Sequence, residues 1–161
     1  MSTPVAPLRP RDNAAVRVPP PLAYFAAIAL GYWLRGRNPL PFVPAALALP
    51  LGVALVILGV VLAISGAVTF RRAGTSPNPT KPSTTVVMHG PYRFTRNPMY
   101  LGMTVLTVGA AVWIDTVWIL LLLVPALAVM RWHVIAREEA YLAEKFGEQY
   151  REYQRRVRRW L

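Results

Sequence analysis

Three stretches of this chain carry no charged residue: Pro44–Phe70, Pro98–Ile114 and Thr116–Met130. Each approaches the roughly 20 apolar residues a helix needs to cross the hydrocarbon core of a bilayer. A fourth apolar stretch, Pro21–Leu34, is shorter and suits either a tilted span or a partly interfacial segment. The pattern predicts four membrane helices, over about 21–34, 45–70, 99–113 and 117–135. Asp115 alone interrupts the last two, which predicts a helical hairpin with almost no loop. Pro50 is placed to kink the second helix near its start. In the same helix Gly52, Gly59 and Gly66 recur every seven residues, close to one face, which would let a neighbouring helix approach closely. The same spacing is also compatible with the general abundance of glycine in membrane helices.

The remaining segments are polar. Residues 71–98 form a long connection with five Pro and five Lys or Arg, and structureless loops of that length are usually functional or disordered. From Glu138 to the end, Leu142, Phe146, Tyr150, Tyr153, Val157 and Trp160 recur at spacings of three and four, with Arg and Glu between them. This predicts an amphipathic helix over 138–161 that lies on the membrane surface or folds back over the connection, with Gly147 as a break. Residues 1–19 are Pro- and Arg-rich and read as a disordered tail. They are not a secretory signal, because the following apolar stretch ends in Arg35 and Arg37 without a small-residue cleavage pattern. The expected architecture is an all-α integral membrane protein with one membrane-embedded domain over 20–161.

Composition agrees with this. The 161 residues are 55% hydrophobic, with a mean hydropathy of +0.37, so a soluble domain would have to expose these blocks. A net charge of +11 would suggest nucleic acid for a soluble chain. In a membrane protein, cationic cytoplasmic loops meeting anionic lipid headgroups account for it, and no nucleic acid partner is expected. The connection 71–98 and the tail after 131 are both basic and lie two crossings apart, which places both of them and both termini in the cytoplasm. Arg35 and Arg37 then fall outside, against the trend. With no Cys and only His89 and His133, no metal site is expected.

Candidate chemistry concentrates in two places. His89–Gly102, HGPYRFTRNPMYLG, holds one His, two Arg and two Tyr among fixed Gly and Pro turns. It has the composition of an interfacial collar, but a collar does not require Gly90-Pro91 and Asn97-Pro98 turns at set positions. Pro98 opens the third helix, and free backbone N–H groups there, beside Arg96, would attract a carboxylate or phosphate. Five of the seven acidic residues fall between Glu138 and Glu152, and Glu138 and Glu139 sit where the fourth span ends. Neighbours on a helix point about 100° apart, so one of the pair is expected to face the interior and the other solvent or Arg137. From composition alone, ordinary interfacial charge balance is the favoured explanation of the pair. An anion site on the loop and a cation site at the Glu pair would together suit a small zwitterion.

The two blocks, HGPYRFTRNPMYLG and, about forty residues on, REEAYLAEKFGEQYREYQRRVRRWL, resemble the isoprenylcysteine carboxyl methyltransferase family, which is akin to the membrane phospholipid methyltransferases. The matching positions are His89, Gly90, Pro91, Tyr92, Arg96, Asn97, Pro98, Tyr100, Glu138 and Glu139, over roughly residues 70–161. The resemblance implies S-adenosylmethionine as cofactor, held by these residues in a pocket made by loop, hairpin and C-terminal segment without a Rossmann fold. A lipidic or membrane-associated methyl acceptor is expected because the site so placed borders the membrane, and nothing in the chain points to a prenylated one. With the Ala-, Arg- and Pro-rich composition the resemblance implies a bacterial-type member in the inner (cytoplasmic) membrane. The family's Arg-His-Pro is Arg-Asn-Pro here, and Asn97 hydrogen-bonds but takes up no proton.

For methyl transfer, a carboxylate acceptor needs a cation to position it, for which Arg96 and Arg137 are the candidates. An amine acceptor needs a base, and Glu138, Glu139 and His89 are available. Of these residues Arg96, Arg137 and Glu139 are taken as the catalytic set. Two other readings fit parts of the pattern. A sterol-reductase-type enzyme would bind NADPH and have many more spans. A non-catalytic membrane subunit or lipid-binding module would bind no nucleoside at all.

Overall fold

The computed structural model describes residues 13, 14, 16 and 19–160, and the described residues are all helical or irregular, with no strand. Helix α1 spans Pro20–Arg35, α2 Ala45–Arg72, α3 Pro98–Ile114 and α4 Val117–Val129. A π-helical turn, Met130–Ile135, carries α4 directly into α5, Ala136–Phe146, and α6 follows over Glu148–Arg156. The charge-free runs therefore became the helices, within a few residues of their expected limits. Helix α2 and the continuous rod Val117–Phe146 are long and apolar enough to cross a membrane. Helices α1 and α3, with 16 and 17 residues, reach only roughly 25 Å at about 1.5 Å per residue, short of a ~30 Å hydrocarbon core.

Proline and a single aspartate set the boundaries. Pro19 and Pro44 stand at the N-caps of α1 and α2, and Pro98 is the first residue of α3, where its missing N–H costs nothing. Asp115 ends α3 in the left-handed region (φ 53°), which a short polar side chain tolerates. Its Oδ1 accepts the N–H groups of Phe42 and Val43 at 2.8 and 3.0 Å, tying the α1–α2 connection to the hairpin. These bonds to the ionised form hold its carboxyl below the usual range. Pro50 and Pro125 both lie inside helices.

The glycine spacing has its structural counterpart in the α2–α3 interface. A Cβ on Gly52 would sit 2.5 Å from the Trp113 backbone nitrogen, and one on Gly102 2.5 Å from that of Ala63. Gly59 faces Leu106 and Gly102, Gly66 faces Met99 and Pro98, and Gly109 faces Val56. Two backbones meet where any side chain would hold them apart. By contrast Leu47, Leu51, Leu58, Val61 and Ile64 of α2 are exposed, an apolar outer face.

Helices α1 and α3 enter side by side: the Tyr24 hydroxyl donates to the Tyr100 carbonyl at 3.3 Å and lies 3.1 Å from Thr104 Oγ1. One core gathers Tyr24, Tyr100, Leu123, Met130, Val134 and Ile135, with Trp160 packed against it. Of the expected disordered tail 1–19, residues 1–12, 15, 17 and 18 lie outside the described residues. Ala14 and Val16 are described, and both are buried in this core. A second core joins Val86, Val87 and Tyr92 of the connection to Tyr150 and Tyr153 of α6. The amphipathic tail is thus folded back over the connection, and Gly147 (φ 54°) makes the corner between α5 and α6.

Candidate functional site

The connection, α3 and α5 enclose a cavity of about 70 Å³. Tyr92, Arg96, Asn97, Tyr100, Glu138 and Glu139 line it, together with Phe70, Ser76–Pro79, Ser83, Met99, Tyr141, Leu142 and Tyr150. The two sequence blocks singled out by their chemistry, forty residues apart, therefore face one space.

Each side chain is placed by identifiable local structure. Gly90 (φ 62°) and Pro91 start a 3₁₀ turn, Gly90–Arg93, which turns Tyr92 inward. The Tyr92 carbonyl accepts the Tyr153 hydroxyl at 2.8 Å, so α6 locks the turn. The Tyr92 hydroxyl itself is buried without a partner, and burial raises its pKa above the ordinary value. Arg96 follows, its backbone N–H donating to the Arg158 carbonyl at 3.0 Å. Asn97 Nδ2 and Thr95 Oγ1 both donate to the Arg159 carbonyl, at 2.9 and 3.1 Å. Asn97 is therefore a structural tie between loop and C-terminal segment, a role its amide fills without titrating. No side chain caps the N-terminus of α3.

Glu138 and Glu139 do not divide between interior and solvent as expected. Both line the cavity, because α3 flanks one side of α5 and the returning C-terminal segment the other. Glu138 Oε1 accepts the Tyr100 hydroxyl at 2.6 Å. Glu139, only 9% exposed, lies 3.2 Å from Arg96 Nη1 and accepts Arg159 Nε at 3.1 Å. Arg159 Nη2 contacts its second oxygen, which makes that pair bidentate. The Arg96 contact is an ion pair without hydrogen-bond alignment, and Arg96 Nε and Nη1 are buried with no hydrogen-bond partner. Glu138 lies beyond the apolar part of its rod, and desolvation pushes its carboxyl up to about 7, helped by the neighbouring Glu139 charge and opposed by the Tyr100 hydrogen bond.

The other expected site residues stay outside this space. His89 and Gly90 are exposed, Pro91 is partly exposed, and Pro98 is buried at the start of α3 without lining the cavity. Arg137 is exposed and also lies outside the lining. Arg159 was missed. Nothing in a run of tail arginines distinguishes the one that folds back onto Glu139. Ser76–Pro79 lies within the expected cofactor loop but had not been singled out. Among the described residues no cluster suited to a metal ion occurs.

The cavity offers two carboxylates, a guanidinium with unused donors and an unpartnered phenol, and the described residues around it form helices with no strand. Such a set has the chemistry to pair with a small molecule that carries charge. The chain belongs to the phospholipid methyltransferase family, whose sequence profile matches residues 47–149. That range includes α2 from its third residue on, α3, the rod and every expected site residue. The chain is also similar to an uncharacterized protein of Haemophilus influenzae, 38% identical over 63 residues, which is 39% of this chain and 100% of that relative. Family membership makes a membrane methyltransferase the broad class of activity.

Proposed function

We propose that this protein is an integral membrane methyltransferase that uses S-adenosylmethionine to methylate a lipidic or membrane-associated acceptor, by carboxyl O-methylation or lipid N-methylation. In this reading it sits in a bacterial inner membrane with four spans and both termini in the cytoplasm, and the short α1 and α3 cross by virtue of packing against the longer helices. The observation that carries the proposal is the convergence of Tyr92, Arg96, Asn97, Tyr100, Glu138 and Glu139 on one cavity that retains unpartnered buried donors.

The chemical character of the site fits the amino-acid end of the cofactor. The unused Arg96 Nε and Nη1 and the Tyr92 hydroxyl suit a carboxylate, and Glu138 suits an ammonium. Its volume of about 70 Å³ holds only a few waters, whereas ligand sites run to roughly 300–1,000 Å³. Accommodation of a whole nucleoside requires Ser76–Pro79 or the C-terminal segment to shift. The cofactor supplies an electrophilic methyl group and leaves as a neutral thioether. The chain's own residues align the acceptor with it and exclude water. An ammonium acceptor must first lose a proton, and Glu138, with a carboxyl poised at about 7, is the base in reach of that task. A carboxylate acceptor needs no base, and Arg96 would orient it; the exposed Arg137 has no access to the cavity in this arrangement.

Calorimetry of the detergent-purified protein with S-adenosylhomocysteine tests the reading, and its expected result is binding that Arg96→Ala and Glu138→Gln weaken at least tenfold. A protein that binds no nucleoside would support a non-catalytic membrane subunit instead, and variants that bind it like the parent would remove the cofactor from this cavity. Transfer of labelled methyl from the cofactor into total membrane lipid then reports the acceptor class.

A further inference from the structure

Beside the polar cavity lies a second one, of about 420 Å³. Its walls are Val16 and Pro19–Pro21 from the start of α1, Met99 and Met103 from α3, and Pro77–Thr80 from the connection. The two cavities share Pro77, Asn78, Pro79, Met99 and Tyr100, so these residues lie between them, Tyr100 among them. On the polar side the Tyr100 hydroxyl binds Glu138. The second space falls in the size range of ligand sites, about 300–1,000 Å³. Among the described residues its lining is almost wholly apolar: of these side chains only Asn78, Thr80 and the Tyr100 hydroxyl offer polar atoms, and the last is already engaged. Methionine and proline present adaptable and rigid apolar surface respectively, without donors that would fix a base or a sugar. Next to its rim on α1, Leu22 and Phe25 are 58% and 69% exposed, an apolar outer surface of the kind that meets lipid.

We propose that this cavity binds one hydrocarbon chain of the methyl acceptor, and that Tyr100 is the partition at which the acceptor's head group meets the polar cavity. The proposal rests on the methyltransferase reading and adds the acceptor's seat and its chemistry. The occupant is a single alkyl or acyl chain of a lipid, entering past Pro21 from the side of Leu22 and Phe25. The wall formed by Val16 and Pro19–Pro21 lies outside residues 47–149 and is this chain's own contribution to acceptor choice.

The test uses the full-length protein in bilayer discs of phosphatidylethanolamine and phosphatidylglycerol, doped with a phosphatidylethanolamine carrying a photoreactive diazirine near the end of one acyl chain. Labelled peptides are mapped by mass spectrometry, and S-adenosylhomocysteine affinity is measured on the same samples. Peptides containing Pro19–Pro21 and Met99–Met103 are expected to carry several-fold more label than the lipid-facing α2 peptide with Leu51 and Leu58. Met103→Trp, which fills the cavity, and Pro21→Trp, an exposed position at its mouth, are each expected to reduce the cavity label at least fivefold while nucleoside affinity and α2 labelling stay unchanged. The Pro21 variant decides the matter should the Met103 variant fail to fold. Cavity labelling no greater than that of α2, or unaltered by the substitutions, overturns the proposal. So does a matching loss of nucleoside affinity in folded variants, which would give the space to the cofactor. A parent protein that shows the expected cavity labelling yet binds no nucleoside would sink the methyltransferase reading and leave the chain site standing.

Discussion

Glu139→Gln is the most informative single change to the polar cavity. Glu139 is 9% exposed and its single carboxylate pairs with two guanidiniums, that of Arg96 at 3.2 Å and that of Arg159 through a bidentate contact. The Arg96 side chain is 12% exposed and the Arg159 side chain 29%. Removing the carboxylate charge strands Arg96, whose Nε and Nη1 already have no hydrogen bond, as a buried cation. Breaking a buried pair in this way costs about 3–5 kcal/mol, and glutamine, which retains an acceptor, places the loss near the lower end, at about 3 kcal/mol. For a chain of this length that corresponds to a fall in Tm of roughly 6–12 °C. Arg159→Gln removes the more exposed partner and leaves Glu139 paired with Arg96, so its cost should be well under half as large. Tryptophan fluorescence during thermal unfolding in detergent measures both. The Arg96→Met, Glu139→Gln double variant should recover much of the loss, because no buried charge is then unpaired. A Glu139→Gln cost below about 1 kcal/mol, or a double variant worse than the sum of the singles, would refute the claim that the pair compensates a buried charge.

Three further predictions are independent of one another. Because Glu138 binds its proton more tightly folded than unfolded, its contribution to stability diminishes as pH rises from its ordinary value through about 7, and an ammonium ligand needs its ionised form. S-adenosylhomocysteine affinity should therefore rise with pH up to about 7 and then level off, and a Glu138→Gln variant with the same pH profile would exclude Glu138 as its cause. Asp115 has the opposite sign: its carboxyl is held low, so its stabilisation is complete above the ordinary aspartate range and is lost as pH falls through the lowered value. Asp115→Ala, which loses both backbone bonds and the left-handed tolerance, should lower Tm more than Asp115→Asn, and equal losses would show that the staple to Phe42 and Val43 is irrelevant. Gly102→Val should force α2 and α3 apart where the new Cβ would meet the Ala63 nitrogen and the Gly59 carbonyl, abolishing the folded protein in mild detergent, whereas Gly36→Ala, with only a carbonyl at 3.5 Å nearby, should be neutral.

Helix positions were legible in the sequence because they depend on near neighbours: charge-free runs bounded by Pro44, Pro98 and Asp115 can do little but form helices that bury backbone polar groups. The seven-residue glycine spacing marked a face, and that face is where the α3 backbone lies. The meeting of the two polar blocks is a matter of geometry: Tyr92, Arg96, Asn97 and Tyr100 line one cavity with Glu138 and Glu139. Tertiary structure alone decided which charges are spent and which are free. The π-helical turn at Met130–Ile135 changes the rotation of α5 relative to α4, so an ideal helical wheel carried through from the span does not give the directions of Arg137, Glu138 and Glu139. The return of the C-terminal segment puts Arg159 on Glu139 and gives Asn97 a carbonyl to bind, contacts between residues 20 and 62 positions apart that no local pattern encodes. The sequence by itself determined the helices and the kinds of groups at the site, because propensity, apolar runs and turn residues act locally. The pairing of those groups, and the apolar cavity beside them, came only with the fold, because charge balance and enclosed volume depend on every element that packs around them.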